Sequence, residues 1–210
     1  MPLLKIHSTG IESGVGLWHI SETEEALAYS AQQTCPEEII NKQKRLEWLA
    51  ARSLVRSMLE NQGMEYNGLT KDEFGKPFLK EHPHHVSLSH SFPYVAVQLD
   101  RWNAVGIDLE QPKEKLKTIA NRIFSAEEVR DAGEDVVKLC VYWCAKEALY
   151  KFHGKRDILF TDHLHIMPFQ LSNTGVFAGK ILIGQNELIV QLRYIVMTDF
   201  VLVYTSPKAA

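Results

Sequence analysis

Apolar residues Leu46, Leu49, Val55 and Leu59 recur at roughly helical spacing, which predicts a helix from about Glu37 to Glu60, preceded by a strand near Gly16 to Ile20. The stretch from Gly63 to Pro83 is turn-rich and carries Phe74-Gly75-Lys76-Pro77. Two short strands are expected next, Tyr94 to Leu99 and Ala104 to Leu109, and Asp100-Arg101-Trp102-Asn103 between them suits a hairpin connection. A second helix is expected from Ser125 through Lys151, broken near Gly133, with Ser125 and Glu128 at capping-box spacing. Strands follow around Val176 to Ile183, Glu187 to Ile195 and Phe200 to Thr205. Helix then strands, twice, predicts an α+β fold of two similar halves, 1–103 and 104–210, each a small, mainly antiparallel sheet packed with a long helix.

Composition narrows the class. With 210 residues and 45% hydrophobic content the chain can bury a full core. No apolar run approaches the ~20 residues of a membrane span, and Met1-Pro2-Leu3-Leu4-Lys5 lacks the apolar core of a signal peptide. Three cysteines, Cys35, Cys140 and Cys144, read as reduced thiols rather than a disulfide framework, so a cytoplasmic protein without a membrane partner is expected. A formal net charge of -3 argues against nucleic-acid binding driven by bulk charge. Locally, Lys113, Lys115, Lys117 and Arg122 crowd a segment with a single acid, Glu114. Alone this is a solvated helix face; beside an acidic partner it becomes a docking surface.

The chemistry concentrates in Gly106-Ile107-Asp108-Leu109-Glu110 and Trp143-Cys144-Ala145-Lys146-Glu147. Side chains alternate along a strand, so Asp108 and Glu110 point the same way and can share one hard cation. Trp143, Glu147 and Lys151 stand four apart and share a helix face. Glu147 and Lys151 alone would be an ordinary surface pair worth a few tenths of a kcal/mol. Facing Asp108 and Glu110, they form a cluster of three acids that needs a cation or a basic ligand between them.

Here the chain resembles the 4'-phosphopantetheinyl transferases, in particular the longer, pseudo-duplicated Sfp-like group. The resemblance rests on Gly106 to Glu110, Phe124-Ser125-Ala126-Glu127-Glu128, Trp143 to Lys151, Phe74-Gly75-Lys76-Pro77, Ser87-Leu88-Ser89-His90-Ser91 and Arg52-Ser53-Leu54-Val55-Arg56, in register from about Arg45 to Lys151. It implies an enzyme of the holo-[acyl-carrier-protein] synthase type, moving the phosphopantetheine arm of coenzyme A to a serine of an apo acyl or peptidyl carrier protein and releasing 3',5'-adenosine bisphosphate. It implies magnesium held by Asp108, Glu110 and Glu147. Glu147 or a metal-bound water would be the base, and Lys151 would stabilise the leaving phosphate. Lys76, Ser89 and His90 are implied as contacts to the phosphates of coenzyme A, with Arg45 and, ranked lower, Arg52 beside them. Coenzyme A is expected in the cleft between the halves, in a protein working as a monomer. Carrier proteins are acidic around the modified serine, which gives the Lys113 patch a purpose, with Phe124 as an apolar anchor.

Two other readings use the same residues. Acids on a strand with a helical Glu and Lys also suit a magnesium-dependent hydrolase of nucleotide pyrophosphates, and a non-catalytic coenzyme A-binding module would use the acids in salt bridges. His82, His84 and His85 lack a second ligand pair at zinc spacing and read as a surface loop. Cys140 and Cys144 read as packed small residues, and Gly14-Val15-Gly16 lacks the third glycine of a dinucleotide fingerprint. Ser87 stands where relatives often carry asparagine, and the last sixty residues carry no recognised motif.

Overall fold

The computed structural model describes residues 3–10 as backbone and 12–206 in full, and the chain divides into two units, Met1–Ala104 and Val105–Ala210. In the first, β1 (Leu3–Gly10) and β2 (Ser13–His19) lead to α1 (Glu24–Ala31) and α2 (Lys42–Glu60), then β3 (Leu69–Lys71), β4 (Pro77–Leu79), β5 (His85–Ser91) and β6 (Tyr94–Asp100). These strands form one antiparallel sheet in the order β1-β2-β6-β5-β4-β3. In the second unit β7 (Ile107–Glu110) precedes α3 (Lys115–Ile123), α4 (Ala126–Ala132), α5 (Val136–His153) and α6 (Phe160–His163). The strands β8 (Leu164–Ile166), β9 (Thr174–Ile183), β10 (Asn186–Val196) and β11 (Val201–Ser206) complete an antiparallel sheet ordered β7-β11-β10-β9-β8. Each unit is a sheet packed with one long helix, the α+β architecture expected.

Local chemistry explains the ends of the long helices. Asn41 is extended at φ -74°, ψ 119° and its side chain accepts from the Lys44 N–H, so α2 begins at Lys42 rather than near Glu37. Asp135 caps α5 in the same way, accepting from the Val137 and Lys138 N–H groups. Gly133, at φ 59°, breaks the predicted long helix into α4 and α5 where a side chain would be strained. The Ser125–Glu128 capping box forms as expected. Among the described residues no helix is long and apolar enough to cross a membrane.

Three expectations are corrected. Tyr94–Asp100 and Ile107–Glu110 are not a hairpin: β6 pairs with β2 and β5, whereas β7 pairs with β11. The segment between them is instead held by Asp100, whose carboxylate accepts from the Trp102 and Asn103 N–H groups. Its other hairpin partner lies earlier in the chain, since β5 and β6 turn about Phe92-Pro93. Phe124 is no exposed anchor: it is buried in the core of the second unit, its ring tilted against Tyr142. His84 is likewise buried rather than on a surface loop, and desolvation holds its imidazole below the usual pKa.

Candidate active site

The site in the second unit is set by how closely α5 lies on β7 and β11. The helix presents Cys140, Cys144 and Ala148, small residues four apart, as a stripe toward the strands. Cys140 Sγ reaches the Glu110 carbonyl at 3.8 Å and Cys144 Sγ the Val201 carbonyl at 3.8 Å. At the other end, a Cβ on Gly106 would stand 1.9 Å from the Ala148 carbonyl oxygen. Helix and strand therefore run antiparallel over matched lengths: eight residues at the helical rise cover about 12 Å, and four at the strand rise about 13 Å. Asp108, midway along that strand segment, thus lies beside the last turns of α5, where Glu147 and Lys151 emerge next to the stripe.

The geometry follows. Lys151 Nζ donates to Asp108 Oδ1 at 2.7 Å and to the Ile107 carbonyl at 3.0 Å. Asp108 is buried and Glu147 half-buried. Burial first, then the charge of Asp108 and to a lesser degree that of Glu110, push the Glu147 carboxyl up to about 7, with Lys151 opposing. Asp108, Glu110, Glu147 and Lys151 are thus electrostatically one group. Among the described residues no set of three or more His, Cys, Asp or Glu side chains is arranged as it stands to hold a metal ion. The Lys151 ammonium forms an ion pair with Asp108. Trp143 packs its ring 5.9 Å from Phe160 and helps close the apolar side of the helix.

Lys146, adjacent to Glu147 in sequence, belongs to a separate network. It is fully buried, with Nζ 2.7 Å from Glu128 Oε2 and donating to the Ile123 and Phe160 carbonyls at 3.1 and 2.9 Å. Glu128 also accepts from the Ser125 and Ile166 N–H groups at 2.7 and 2.8 Å. One carboxylate therefore ties the start of α4 to β8 and to α5, and its only visible trace in the sequence is the capping box. Desolvation lowers the Lys146 pKa against the pull of Glu128.

In the first unit the expected phosphate contacts scatter. Lys76 sits in the β3–β4 turn, where Asp72 Oδ1 accepts from its backbone N–H at 2.8 Å and Gly75 takes φ 91°. The lysine is half-buried and desolvation lowers its pKa, which sets it apart from an ordinary exposed turn lysine. Ser89 and His90 are neighbours on β5 and so point to opposite faces. Ser89 is buried, while His90 lies on the face that carries Val86 and Leu88 into the α2 core. There His90 Nδ1 stands 3.2 Å from Glu47 Oε2 of α2. Arg45 and Arg52 share another face of α2, as their spacing implied. Arg45 binds Glu24 at 2.7 Å and the Pro36 and Ile39 carbonyls. Arg52 is buried, stacked 3.3 Å over Trp48 and donating to the Trp48 carbonyl, and burial lowers its pKa to about 10.

A family model described as the 4'-phosphopantetheinyl transferase superfamily matches residues 104–205. Over 126 residues the chain is 32% identical to the 4'-phosphopantetheinyl transferase Sfp of Bacillus subtilis (strain 168), covering 56% of this chain and 56% of that protein. Over 87 residues it is 38% identical to the 4'-phosphopantetheinyl transferase psf-1 of Bacillus pumilus, covering 39% of this chain and 37% of that protein. The matches thus span about half of the first relative's length and little more than a third of the second's. The matched region holds β7, with its paired acids and the glycine that seats them, and α5, with Glu147 and Lys151. The similarity to the 4'-phosphopantetheinyl transferase superfamily thus lies in this second unit, and the relatives it matches stand in the Sfp-like group.

Proposed function

We propose that the protein transfers the 4'-phosphopantetheine arm of coenzyme A to a serine of an apo acyl or peptidyl carrier protein, releasing 3',5'-adenosine bisphosphate. The observation that carries this reading is the meeting of Asp108 and Glu110 from β7 with Glu147 and Lys151 from α5, inside the family match. Carboxylates gathered at one place are the donor chemistry of a hard divalent cation. Asp108, Glu110 and Glu147 would hold magnesium, which when bound supplies positive charge at the pyrophosphate and orients the phosphorus.

The chain's own residues account for the proton and the charge. Glu147, uncharged in part near neutrality without a cation, becomes a carboxylate as the site is filled and receives the serine proton directly or through water. The serine oxygen forms the new bond to phosphorus, and the bond from phosphorus to the bridging oxygen breaks. The electron pair leaves on the adenosine bisphosphate, whose new negative charge Lys151 is placed to offset. His90 and Lys76 would contact coenzyme A phosphates, with Ser89 meeting the nucleotide from the opposite face of β5. Arg45, bound to Glu24, and Arg52, stacked on Trp48, would stand behind these contacts.

Intact mass spectrometry of an apo carrier protein incubated with this protein, coenzyme A and magnesium tests the reading. A magnesium-dependent gain of one phosphopantetheine arm, lost in Glu147→Ala, is expected. No gain, with phosphopantetheine released in the absence of carrier, would replace transfer by hydrolysis.

Carrier docking is proposed on the exposed Lys113, Lys115 and Arg122. Lys117 is already engaged by Glu114 and Glu134 at 3.1 and 3.5 Å and contributes less. Reversing Lys113, Lys115 and Arg122 to Glu should raise the KM for carrier about tenfold or more while that for coenzyme A stays nearly constant. An equal loss for both substrates would exclude docking there.

A further inference from the structure

Glu47 is 1% exposed, a carboxylate sealed into α2. Gln43 Nε2 donates to its Oε1 at 3.3 Å. Its Oε2 is approached by Lys44 Nζ at 2.7 Å and by His90 Nδ1 at 3.2 Å, but neither contact has the alignment of a hydrogen bond. A buried carboxylate oxygen held by charge contacts alone is costly, and such an atom in a folded protein calls for an explanation.

Gln43, Lys44 and Glu47 lie on one face of α2, and β5 presents His90 to that same face. The two basic side chains remain 54% and 42% exposed while the carboxylate between them is sealed. Because both nitrogens approach one oxygen, they lie within about 6 Å of each other, a separation that the oxygens of a single phosphate group can bridge. Facing Glu47 through Nδ1 turns the opposite ring nitrogen of His90 away from the carboxylate.

We propose that Glu47 is a positioning residue that gathers Lys44 and His90 into one preformed binding pair for a phosphate of coenzyme A, with Lys44 as a substrate contact alongside His90. This rests on the transferase reading for the identity of the ligand, but the pairing itself is a property of the first unit. Glu47 is not a contact to the phosphate: its charge would repel that group, and its value lies in holding two long or mobile side chains in place before the ligand arrives. The misaligned contacts at Oε2 leave both basic groups able to swing outward while remaining anchored. Glu47→Gln keeps the shape and the Gln43 contact but removes the charge that gathers the pair.

Two measurements test this on the full chain. The first is a double-mutant cycle of Glu47→Gln and His90→Gln, reading kcat and KM for coenzyme A and for 3'-dephospho-coenzyme A. Each single variant should raise the KM for coenzyme A about tenfold, the scale of one charge-assisted contact, with kcat within about twofold. The double variant should be little worse than either single one, because both remove the same interaction. Lys44→Met should raise the same KM. If dephospho-coenzyme A is insensitive to all three, the phosphate held is the 3'-phosphate; if it responds equally, the pyrophosphate is held. Additive losses, or a Glu47→Gln that lowers Tm without moving the KM, would overturn the proposal. The second is the imidazole nitrogen NMR signals of His90 on titration with inorganic pyrophosphate. They should shift in the wild type and respond at least about tenfold more weakly in Glu47→Gln. An identical response in both would overturn the proposal even if no transfer were found, whereas the expected response without transfer would fault only the assigned reaction.

Discussion

Glu147→Gln is expected to abolish transfer and at the same time to stabilise the protein above neutral pH. The Glu147 carboxyl is pushed from the ordinary value near 4.5 up to about 7, chiefly by burial and then by Asp108. Below about pH 4.5 both folded and unfolded chains hold the proton, so wild type and Glu147→Gln should differ little. Between pH 4.5 and 7 the unfolded chain releases its proton while the folded one keeps it, and wild-type stability falls as pH rises. Above about pH 7 the folded protein carries a charge that burial and Asp108 oppose, a difference worth about 3 kcal/mol at 1.36 kcal/mol per pKa unit. Titrations common to both proteins cancel in the comparison. Chemical denaturation at pH 5 and pH 8 should therefore show the advantage of Glu147→Gln opening with pH. An advantage of the same size at both, or a less stable variant at pH 8, would mean that Glu147 is not held against its charge. Millimolar magnesium should narrow the gap by raising the wild-type Tm, since a cation between the acids relieves the same repulsion.

This cost also explains which parts of the site were legible beforehand. Alternation along Ile107–Glu110 and four-residue spacing along α5 are local regularities, and they place Asp108, Glu110, Glu147 and Lys151 on the correct faces. What local pattern does not carry is the partner across the fold. Asp100-Arg101-Trp102-Asn103 has hairpin composition, yet β7 pairs with β11, whose residues lie nearly a hundred positions later. Nothing local marks Lys146 as buried, yet Glu128 and two carbonyls receive it in the core. Glu47 reads as one more helical acid until β5 brings His90 against it. Among the elements missed, α1, with only Leu27 and Ala31 buried, and the three-residue strands β3, β4 and β8 are too short to show a period, while in β5 serine and histidine positions dilute the apolar alternation. For Arg45 and Arg52 the shared face was legible, but not that Glu24 and Trp48 would meet it.

Gly106→Ala should be the most damaging single methyl that can be added to the second unit. Its Cβ would stand 1.9 Å from the Ala148 oxygen, 2.7 Å from the Phe152 nitrogen and 2.9 Å from the Ala148 carbon, all backbone atoms of α5. No rotamer change relieves a clash with backbone, so strand and helix must part by more than 1 Å or one must distort. Gly106 is also fixed on its other side, its N–H donating to Thr205 Oγ1 at 3.0 Å and its carbonyl accepting from the Thr205 N–H at 2.9 Å, so β7 cannot retreat without straining β11. The expected loss is about 3 kcal/mol or more, the upper range for an overpacked core. Gly179→Ala is the control: its Cβ would meet only the side-chain ends of Leu149, Leu192 and Ile166, which can rotate, and about 1 kcal/mol should suffice. Molecules of Gly106→Ala that do fold should still have lost roughly a hundredfold in transfer rate, because a shift of about 1 Å separates Asp108 and Glu110 from Glu147 and Lys151. Denaturant midpoints for the two variants, with turnover measured on the folded fraction, decide it. If Gly106→Ala proves no less stable than Gly179→Ala, the close seating of β7 on α5 is not what assembles the four charged groups.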